Sequence, residues 1–255
     1  MNRRILAAAL LAALAVRPAL ADNFGGFQQF ADRDSLKPFA RDLGGVLGSA
    51  TFHSGRVLGF SGFDVGPRMG MLFYPSKGNK IMRNNGVKGF GMPWFQAEVG
   101  MPLRIDGFIR GASFEGLTVA GGGLRLGIFK GTDKPWSPHF LLSASAHSAV
   151  HQHFSATQVG HNWVLSSGLP RFVLFGGGGF DWTRLVARAS ALDPALAGAT
   201  VTVFEPRGTV GLKVKPFDVD PQSKAWNWLN FFYLSGAYVY THGQSGAEAA
   251  LGLRF

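Results

Sequence analysis

The chain ends on the stretch GAEAALGLRF, residues 246–255, and this stretch decides the class of fold. From its second residue onward, every other position is apolar: Ala247, Ala249, Leu251, Leu253 and Phe255. The positions between them include Glu248 and Arg254. Such alternation is typical of a β-strand with one apolar and one polar face. A strand at a chain terminus is stable only when a partner strand pairs its backbone, so we expect it to close a larger sheet.

The same period of two recurs through most of the chain. In VGPRMGMLF, residues 65–73, apolar side chains alternate with Gly66, Arg68 and Gly70, and in EPRGTVGLKVK, residues 205–215, they alternate with charged ones. Strict alternation over segments of this length favours strands over helices. The predicted strands are 58–73, 90–101, 103–114, 117–129, 138–147, 151–165, 171–185, 201–215, 228–240 and 246–255.

The start of the chain predicts export. Two arginines precede an apolar run, Ile5–Val16, and a small-residue motif ends at Ala21. This arrangement is typical of a secretory signal peptide over residues 1–21, cleaved after Ala21. The run holds 12 residues, whereas a membrane-spanning helix needs about 20, so we do not interpret it as an anchor.

The composition excludes several classes of site. There is no cysteine, which rules out disulfides, thiolate metal sites and a cysteine nucleophile. Without Arg3, Arg4 and Arg17 of the signal peptide, 22 basic side chains remain against 15 acidic ones. The basic residues alternate singly with apolar ones instead of forming a stripe. We therefore do not expect nucleic acid as a partner, and the charge suits anionic lipid or an anionic solute.

Residues 22–55 follow a different pattern. Phe27, Phe30, Phe39 and Leu43 recur at helical intervals, which predicts one or two short amphipathic helices. Pro38 suits the first turn of a second helix, and glycines at 44–45 or 48 would end it. We interpret this segment as a plug that precedes a barrel formed by residues 56–255.

The decisive question is which strand face is inside. In a soluble sandwich the apolar faces form the core, whereas in an outer-membrane barrel they meet lipid and the polar faces line the lumen. The signal peptide, the small residues on the polar face and the aromatic residues near strand ends favour the barrel. We therefore predict an all-β fold, a closed antiparallel transmembrane barrel of about 10 strands, with 12 as the alternative.

Several segments resemble outer-membrane β-barrel families of Gram-negative bacteria. They are FARDLGGVLGSATFHSGRVLGFSGFDVG, PWFQAEVGMPLRIDGFIRG and LTVAGGGLRLGIF. The plan of a helical plug before a barrel is also loosely similar to the long-chain fatty acid transporters, which have more strands and a longer chain, so their substrate is not carried over. The ending resembles the C-terminal signal of outer-membrane proteins, which implies that the barrel assembly machinery reads Phe255. The resemblance further implies outer-membrane lipid and lipopolysaccharide as surroundings.

Charged residues on the polar faces are the candidate lumen lining. They are Asp64, Arg68, Glu98, Arg104, Asp106, Arg110, Arg125, Glu205, Arg207, Lys213 and Arg254. Such a set can form an ion network that locks a narrow barrel, or it can select anions. About ten strands leave only a narrow lumen, which favours the structural role and argues against a general diffusion porin.

Five of the seven histidines lie between positions 139 and 161. If residues 148–150 form a hairpin loop, then His147 faces His151, Ser145 faces His153, and Phe154 and Ala156 point to lipid. The three histidines could then chelate a divalent metal; alternatively they are lining side chains that titrate near neutral pH.

The sequence leaves the function open between three possibilities. We expect passive transport or binding of a small molecule, apolar or anionic. The alternative is a structural or surface-interaction barrel. A lipid hydrolase is less favoured, because no G-x-S-x-G motif is present and no acid completes a triad with Ser143. We therefore expect no enzyme activity and no cofactor.

Overall fold

The computed structural model describes residues 23–132, 134–188, 193–219 and 227–255. The predicted signal peptide lies outside these ranges. Ten antiparallel strands form a closed barrel in which each strand pairs with its neighbours in sequence. The count of ten is confirmed, and the fold is the one that the resemblance to outer-membrane barrels implies.

The strands follow the predicted order with small shifts at their ends. Their bounds are β1 Phe63–Leu72, β2 Phe90–Met101, β3 Ile105–Phe114, β4 Leu117–Lys130, β5 His139–Val150, β6 Phe154–Leu169, β7 Phe172–Ala187, β8 Thr200–Val214, β9 Phe232–Thr241 and β10 Gln244–Arg254. The helices are α1 Phe27–Phe30, α2 Arg33–Leu47 and α3 Lys80–Arg83. Short 3₁₀ turns occupy Pro102–Arg104, Pro194–Leu196 and Asn227–Phe231.

The last strand closes the barrel against the first. Asp64 lies opposite Arg254 and Met69 opposite Ala249. At the end of the seam, the amide of Phe63 donates to the carbonyl of Phe255 at 3.2 Å, and the amide of Phe255 donates back at 2.8 Å. The backbone of the C-terminal strand is therefore paired on both sides, which explains how a strand can end the chain.

The connections between strands alternate between the two ends of the barrel. We call the end where β1 begins and β10 ends the terminal end; it also carries the connections after β2, β4, β6 and β8. The opposite loop end carries the connections after β1, β3, β5, β7 and β9. Connection length does not separate the two ends: the longest connections are residues 73–89 at the loop end and 215–231 at the terminal end, and three loop-end connections have only two or three residues.

The apolar faces point outward. Ile109 is 72 % exposed and Val210 61 %, whereas Asp106 on the opposite face of β3 is 1 % exposed. Burial of charges with exposure of large apolar side chains is the reverse of a soluble sandwich, and it is the arrangement of a transmembrane barrel. Among the described residues, none of the helices is long and apolar enough to cross a bilayer.

Residues 23–62 fill the lumen and are called the plug below. Asp32 caps α2 by accepting from the amide of Ser35 at 2.7 Å, and Ser35 returns the bond to the amide of Asp32 at 2.9 Å. This capping box begins one continuous helix, with Pro38 inside it instead of at the start of a second helix. Residues 48–62 then run through the lumen to the terminal end, so β1 begins at Phe63 and not at residue 58.

The loop-end half of the lumen is apolar. Phe27, Phe39 and Leu43 of the plug are fully buried against inward side chains of the wall, including Trp94 and Phe154. The ring centroids of Phe39 and Phe154 lie 5.0 Å apart. Here both faces of the wall are apolar, because the outer one meets lipid and the inner one packs on the plug.

Candidate ligand site in the barrel lumen

Arginines of the barrel wall bind the backbone of the plug. Arg110 on β3 donates to the carbonyl of Ser49 at 2.6 Å and to that of Leu47. Arg207 on β8 donates to the carbonyl of Gly45 at 2.7 Å. Two of these three acceptors lie in the last turn of α2, where carbonyls have no partner within the helix and carry partial negative charge. The wall therefore caps the helix that its lumen contains.

Two further arginines bind the extended part of the plug. Arg125 on β4 donates to the carbonyl of Thr51. Arg254 on β10 donates to the carbonyls of Val57 at 2.8 Å and Arg56 at 3.1 Å. We call these four wall arginines, Arg110, Arg125, Arg207 and Arg254, the arginine clamp. The clamp contacts the plug from the helix to the terminal end of the barrel.

Carboxylates beside the clamp balance its charge in two groups. Glu98 accepts from Arg125 at 2.5 and 3.0 Å and from Arg68 at 3.1 Å. On the other side of the lumen, Asp181 accepts from Arg207 at 2.6 and 2.8 Å. Because these pairs are buried, each partner is needed to compensate the desolvation of the other. The network is therefore part of the wall–plug contact.

At the loop end, the carboxylate of Asp42 ties the plug to the barrel. Asp42 on α2 is fully buried and accepts from the amide of Ser76 at 2.8 Å, from the side chain of Asn79 at 2.7 Å, and from the Ser76 hydroxyl. The His242 ring nitrogen Nε2 lies 2.8 Å from the same carboxylate. The helix is thereby joined to residues 73–89 and to the β9–β10 turn.

His53, Asp64 and Glu98 form a compact group of potential metal ligands in the described part of the chain. The guanidiniums of Arg68 and Arg125 already bind the two carboxylates. The Tyr233 hydroxyl also donates to Asp64 at 2.8 Å. A divalent cation there would have to displace these donors beside two fixed positive charges, so the residues do not fit a metal.

Most of the predicted lining residues do lie in the lumen. Those buried there are Asp64, Arg68, Glu98, Asp106, Arg110, Arg125, Arg207 and Lys213, and Arg254 is half-buried at the terminal end. Arg104 does not line the lumen, since it is exposed in the turn Pro102–Arg104. Glu205 is half-buried and binds Arg41 of the plug at 2.6 Å, so it is a contact of the plug and not of an open pore.

The predicted histidine arrangement is wrong in its register. The β5–β6 turn lies at residues 151–153 and not at 148–150, so His147 pairs with Gln158 and Ser145 with Gly160. A shift in register moves side chains to other faces: Phe154 and Ala156 are buried inside and do not face lipid. The apolar plug surface at the loop end accounts for this, because apolar residues there belong inside.

The three predicted metal ligands therefore do not converge. His147 is buried, with Nε2 2.7 Å from the Arg110 guanidinium and Nδ1 2.6 Å from the Gln158 side chain. Both of its ring nitrogens are engaged by the wall. His151 and His153 lie in the turn, where the ring of His151 packs on Phe24 and Phe154.

Two adjacent cavities open at the terminal end, and together we call them the vestibule. The first, of about 220 Å³, is lined by several hydroxyl side chains together with Arg56, Lys134, His139 and part of the β6–β7 hairpin. The second, of about 280 Å³, lies toward the end of β8 and β10. Both are bordered by Ser54, Arg56, Pro170 and Val173. The vestibule is thus the part of the lumen that the plug leaves open.

The second cavity is strongly basic. Its lining includes Arg56, Arg171, Lys213, Lys215 and Arg254, with no aspartate or glutamate among its described lining residues. Phe255, which carries the terminal carboxylate of this chain, also lines it. Asp218 binds Arg171 from outside the cavity. The excess of positive charge in a partly enclosed space raises the local concentration of anions.

Two lysines of the vestibule show this excess directly. Lys213 is 4 % exposed, and its ammonium lies 4.1 Å from the centroid of the Tyr233 ring. In the described ranges it has no hydrogen bond and no ion pair. Beyond the end of β8, burial and the guanidiniums of Arg254 and Arg56 lower the pKa of Lys215. A bound anion would relieve the desolvation and repulsion of both ammonium groups.

Sequence reasoning identified only part of this site. Lys213 and Arg254 were predicted, while Arg56, Arg171, Lys215 and Ser54 were not. Arg56 lies in the plug, Arg171 lies in a tight turn, and Lys215 follows the end of a strand. No short-range pattern marks residues that meet only after the barrel closes.

Comparisons with known proteins add little. No protein-family model matches the sequence, and no curated protein matches it. Neisserial surface protein A is 11 % identical with a TM-score of 0.31, covering 76 % of this chain and 95 % of that chain. The Ail protein of Yersinia pestis is 10 % identical with a TM-score of 0.25, covering 77 % of this chain and 99 % of that chain. Since these TM-scores are well below 0.5, we base no inference on the likeness.

Proposed function

We propose that this chain is an outer-membrane β-barrel that binds a small anionic molecule in the vestibule. The observation that carries the proposal is a cavity bordered by five cationic side chains, one of which, Lys213, is buried without an ion-pair partner in the described ranges. Buried charges are normally paired. A lysine held unpaired beside an open cavity is therefore suited to receive an anionic ligand.

The outer membrane is supported by the outward apolar faces and by the predicted signal peptide. With both chain ends in the periplasm, as the predicted signal peptide and C-terminal assembly signal imply, the vestibule would face the periplasm. Lipid and lipopolysaccharide would surround the barrel. Phe255 is 54 % exposed at the end of the closing strand, which leaves it accessible to the assembly machinery.

Binding is better supported than free passage. Residues 48–62 cross the lumen, and four wall arginines hold them or the preceding helix. Passive transport of the bound anion would require this segment to move. The geometry therefore supports a binding barrel whose conductance depends on the plug.

A purely structural barrel is the second candidate. The observation that favours it is the arginine clamp itself, which accounts for most lumenal charges without a ligand. A hydrolase is not supported: Ser143 is buried, and its hydroxyl has no hydrogen-bond partner among the described residues, so no base would activate it.

The test is titration of the full-length protein, refolded in a neutral detergent, with inorganic phosphate and with succinate by calorimetry. We expect saturable binding of at least one anion, weakened about tenfold or more in Lys213→Gln. Arg104→Gln is the matched control, because it removes one positive charge at the same end of the barrel but outside the vestibule. It should bind as the wild type does.

Two results would contradict the proposal. One is the absence of saturable binding of either anion. The other is an equal loss in Lys213→Gln and Arg104→Gln, which would mean that general surface charge attracts the anions. Either result would favour the structural barrel.

A further inference from the structure

We propose that the ligand of the vestibule is a phosphorylated polyol, such as a sugar phosphate, with its phosphate in the basic cavity and its hydroxyl groups in the adjoining one. This inference rests on the proposed anion binding and names the class of anion. It follows from the different chemistry of the two adjacent cavities.

The first cavity offers several hydroxyl groups beside the cationic side chains of Arg56 and Lys134. Its lining includes five hydroxyl side chains: Ser54, Thr132, Ser137, Ser166 and Ser167. Ser54 and Ser166 accept bonds from the backbone amides of Arg56 at 3.0 Å and Gly55 at 2.9 Å. A hydroxyl that accepts in this way can still donate its own hydrogen. The cavity thus presents several donors and acceptors at fixed positions, as polyol recognition requires.

The second cavity suits a doubly charged group. Lys213, Lys215 and Arg254 come from the ends of β8 and β10, Arg56 from the plug and Arg171 from the β6–β7 turn. Charges from three sides surround the space. Arg171 is paired with Asp218, and the other four cations still exceed what a single carboxylate would balance. A phosphate monoester carries close to two negative charges at neutral pH and has three acceptor oxygens.

The junction between the cavities sets the order of the two groups. Ser54 and Arg56 border both cavities, so one ligand can place its phosphate on the basic side and its polyol on the hydroxyl side. Neither cavity alone, of about 220 and 280 Å³, reaches the lower end of typical ligand pockets at about 300 Å³. Together they do, which fits a two-part ligand.

The experiment compares glucose 6-phosphate, inorganic phosphate and glucose in calorimetric titrations of the full chain in neutral detergent. We expect glucose 6-phosphate to bind at least tenfold more tightly than inorganic phosphate. Ser137→Ala should weaken glucose 6-phosphate about fivefold and leave inorganic phosphate unchanged. Lys213→Gln should weaken the binding of both glucose 6-phosphate and inorganic phosphate. If Lys213→Gln does not fold, Lys215→Gln replaces it in the same measurement.

Equal affinity for glucose 6-phosphate and inorganic phosphate would overturn the polyol part and leave anion binding intact. Absence of binding by both phosphates would overturn the phosphorylated polyol as the ligand. Anion binding itself would be contradicted only if succinate also did not bind. A titration in nanodiscs tests whether the phosphate ester is a free molecule or a lipid headgroup. If glucose 6-phosphate no longer binds when phosphatidylglycerol replaces neutral lipid, the site binds a lipid headgroup, and the proposal of a free sugar phosphate is overturned. Unchanged binding supports the free molecule.

Discussion

At the scale of single residues, the lumen is organised by guanidiniums that bind backbone carbonyls. Arg110 donates to the carbonyls of Leu47 and Ser49, and its guanidinium carbon lies 4.2 Å from the centroid of the Trp94 ring. Arg110→Met keeps much of the apolar contact but leaves these buried carbonyls without that donor. An unsatisfied buried polar group costs about 1–3 kcal/mol, so we expect a loss of that size in the free energy of unfolding, measured by urea denaturation in detergent.

Arg104→Met is the control at this scale, since Arg104 is exposed in a turn. It should unfold at the same urea concentration as the wild type. If the two variants were equally stable, the contacts of Arg110 with the plug would not contribute to stability.

At the scale of elements, the plug fits the wall because glycines leave room for it. A Cβ atom on Gly70 of β1 would lie 1.6 Å from the hydroxyl oxygen and 2.5 Å from the Cβ of Ser49. Gly70→Val should therefore displace the plug around Ser49 while the wall still forms, because valine suits a strand. We expect faster amide hydrogen exchange over residues 48–51 and a higher single-channel conductance in planar bilayers.

Gly208→Val provides the comparison, because no atom lies within 4 Å of a Cβ built there. This strand glycine on β8 should accept valine with exchange and conductance as in the wild type. Wild-type behaviour of Gly70→Val would show that the plug is not held as closely as the structure describes.

At the scale of the whole molecule, stability depends on lipid meeting the outward faces. Val210 is 61 % exposed near the middle of the apolar belt on β8. Val210→Arg should destabilise the barrel by about 2–4 kcal/mol in bilayers, as arginine does near the midplane. The measurement is reversible unfolding in phospholipid vesicles.

The matched variant tests how the cost of arginine depends on its depth in the bilayer. Leu212→Arg places the same charge one outward position nearer to the terminal end, and the cost of arginine falls with distance from the midplane. A smaller loss is therefore expected there. Equal stability of Val210→Arg and the wild type in vesicles would mean that this face does not meet lipid.

The sequence by itself determined the strands, their number, their outward faces and the closure of β10 on β1. The reason is that alternation with period two is a local property that each strand carries in its own residues. Most lumenal charges, such as Glu98 and Arg125, could be assigned from it. The alternation predicted the wrong face for Phe154 and Ala156. There the plug provides a second apolar surface, so an apolar side chain no longer indicates contact with lipid.

Only the tertiary structure decided what the lumenal residues contact. The clamp joins Arg207 to Gly45, which are 162 positions apart, and the vestibule joins Arg56 and Arg171 to the end of β8. These contacts depend on the stagger of the strands around the barrel and on the path of the plug through it. Neither is encoded in a short stretch of residues, so the vestibule forms only when the barrel closes around residues 23–62.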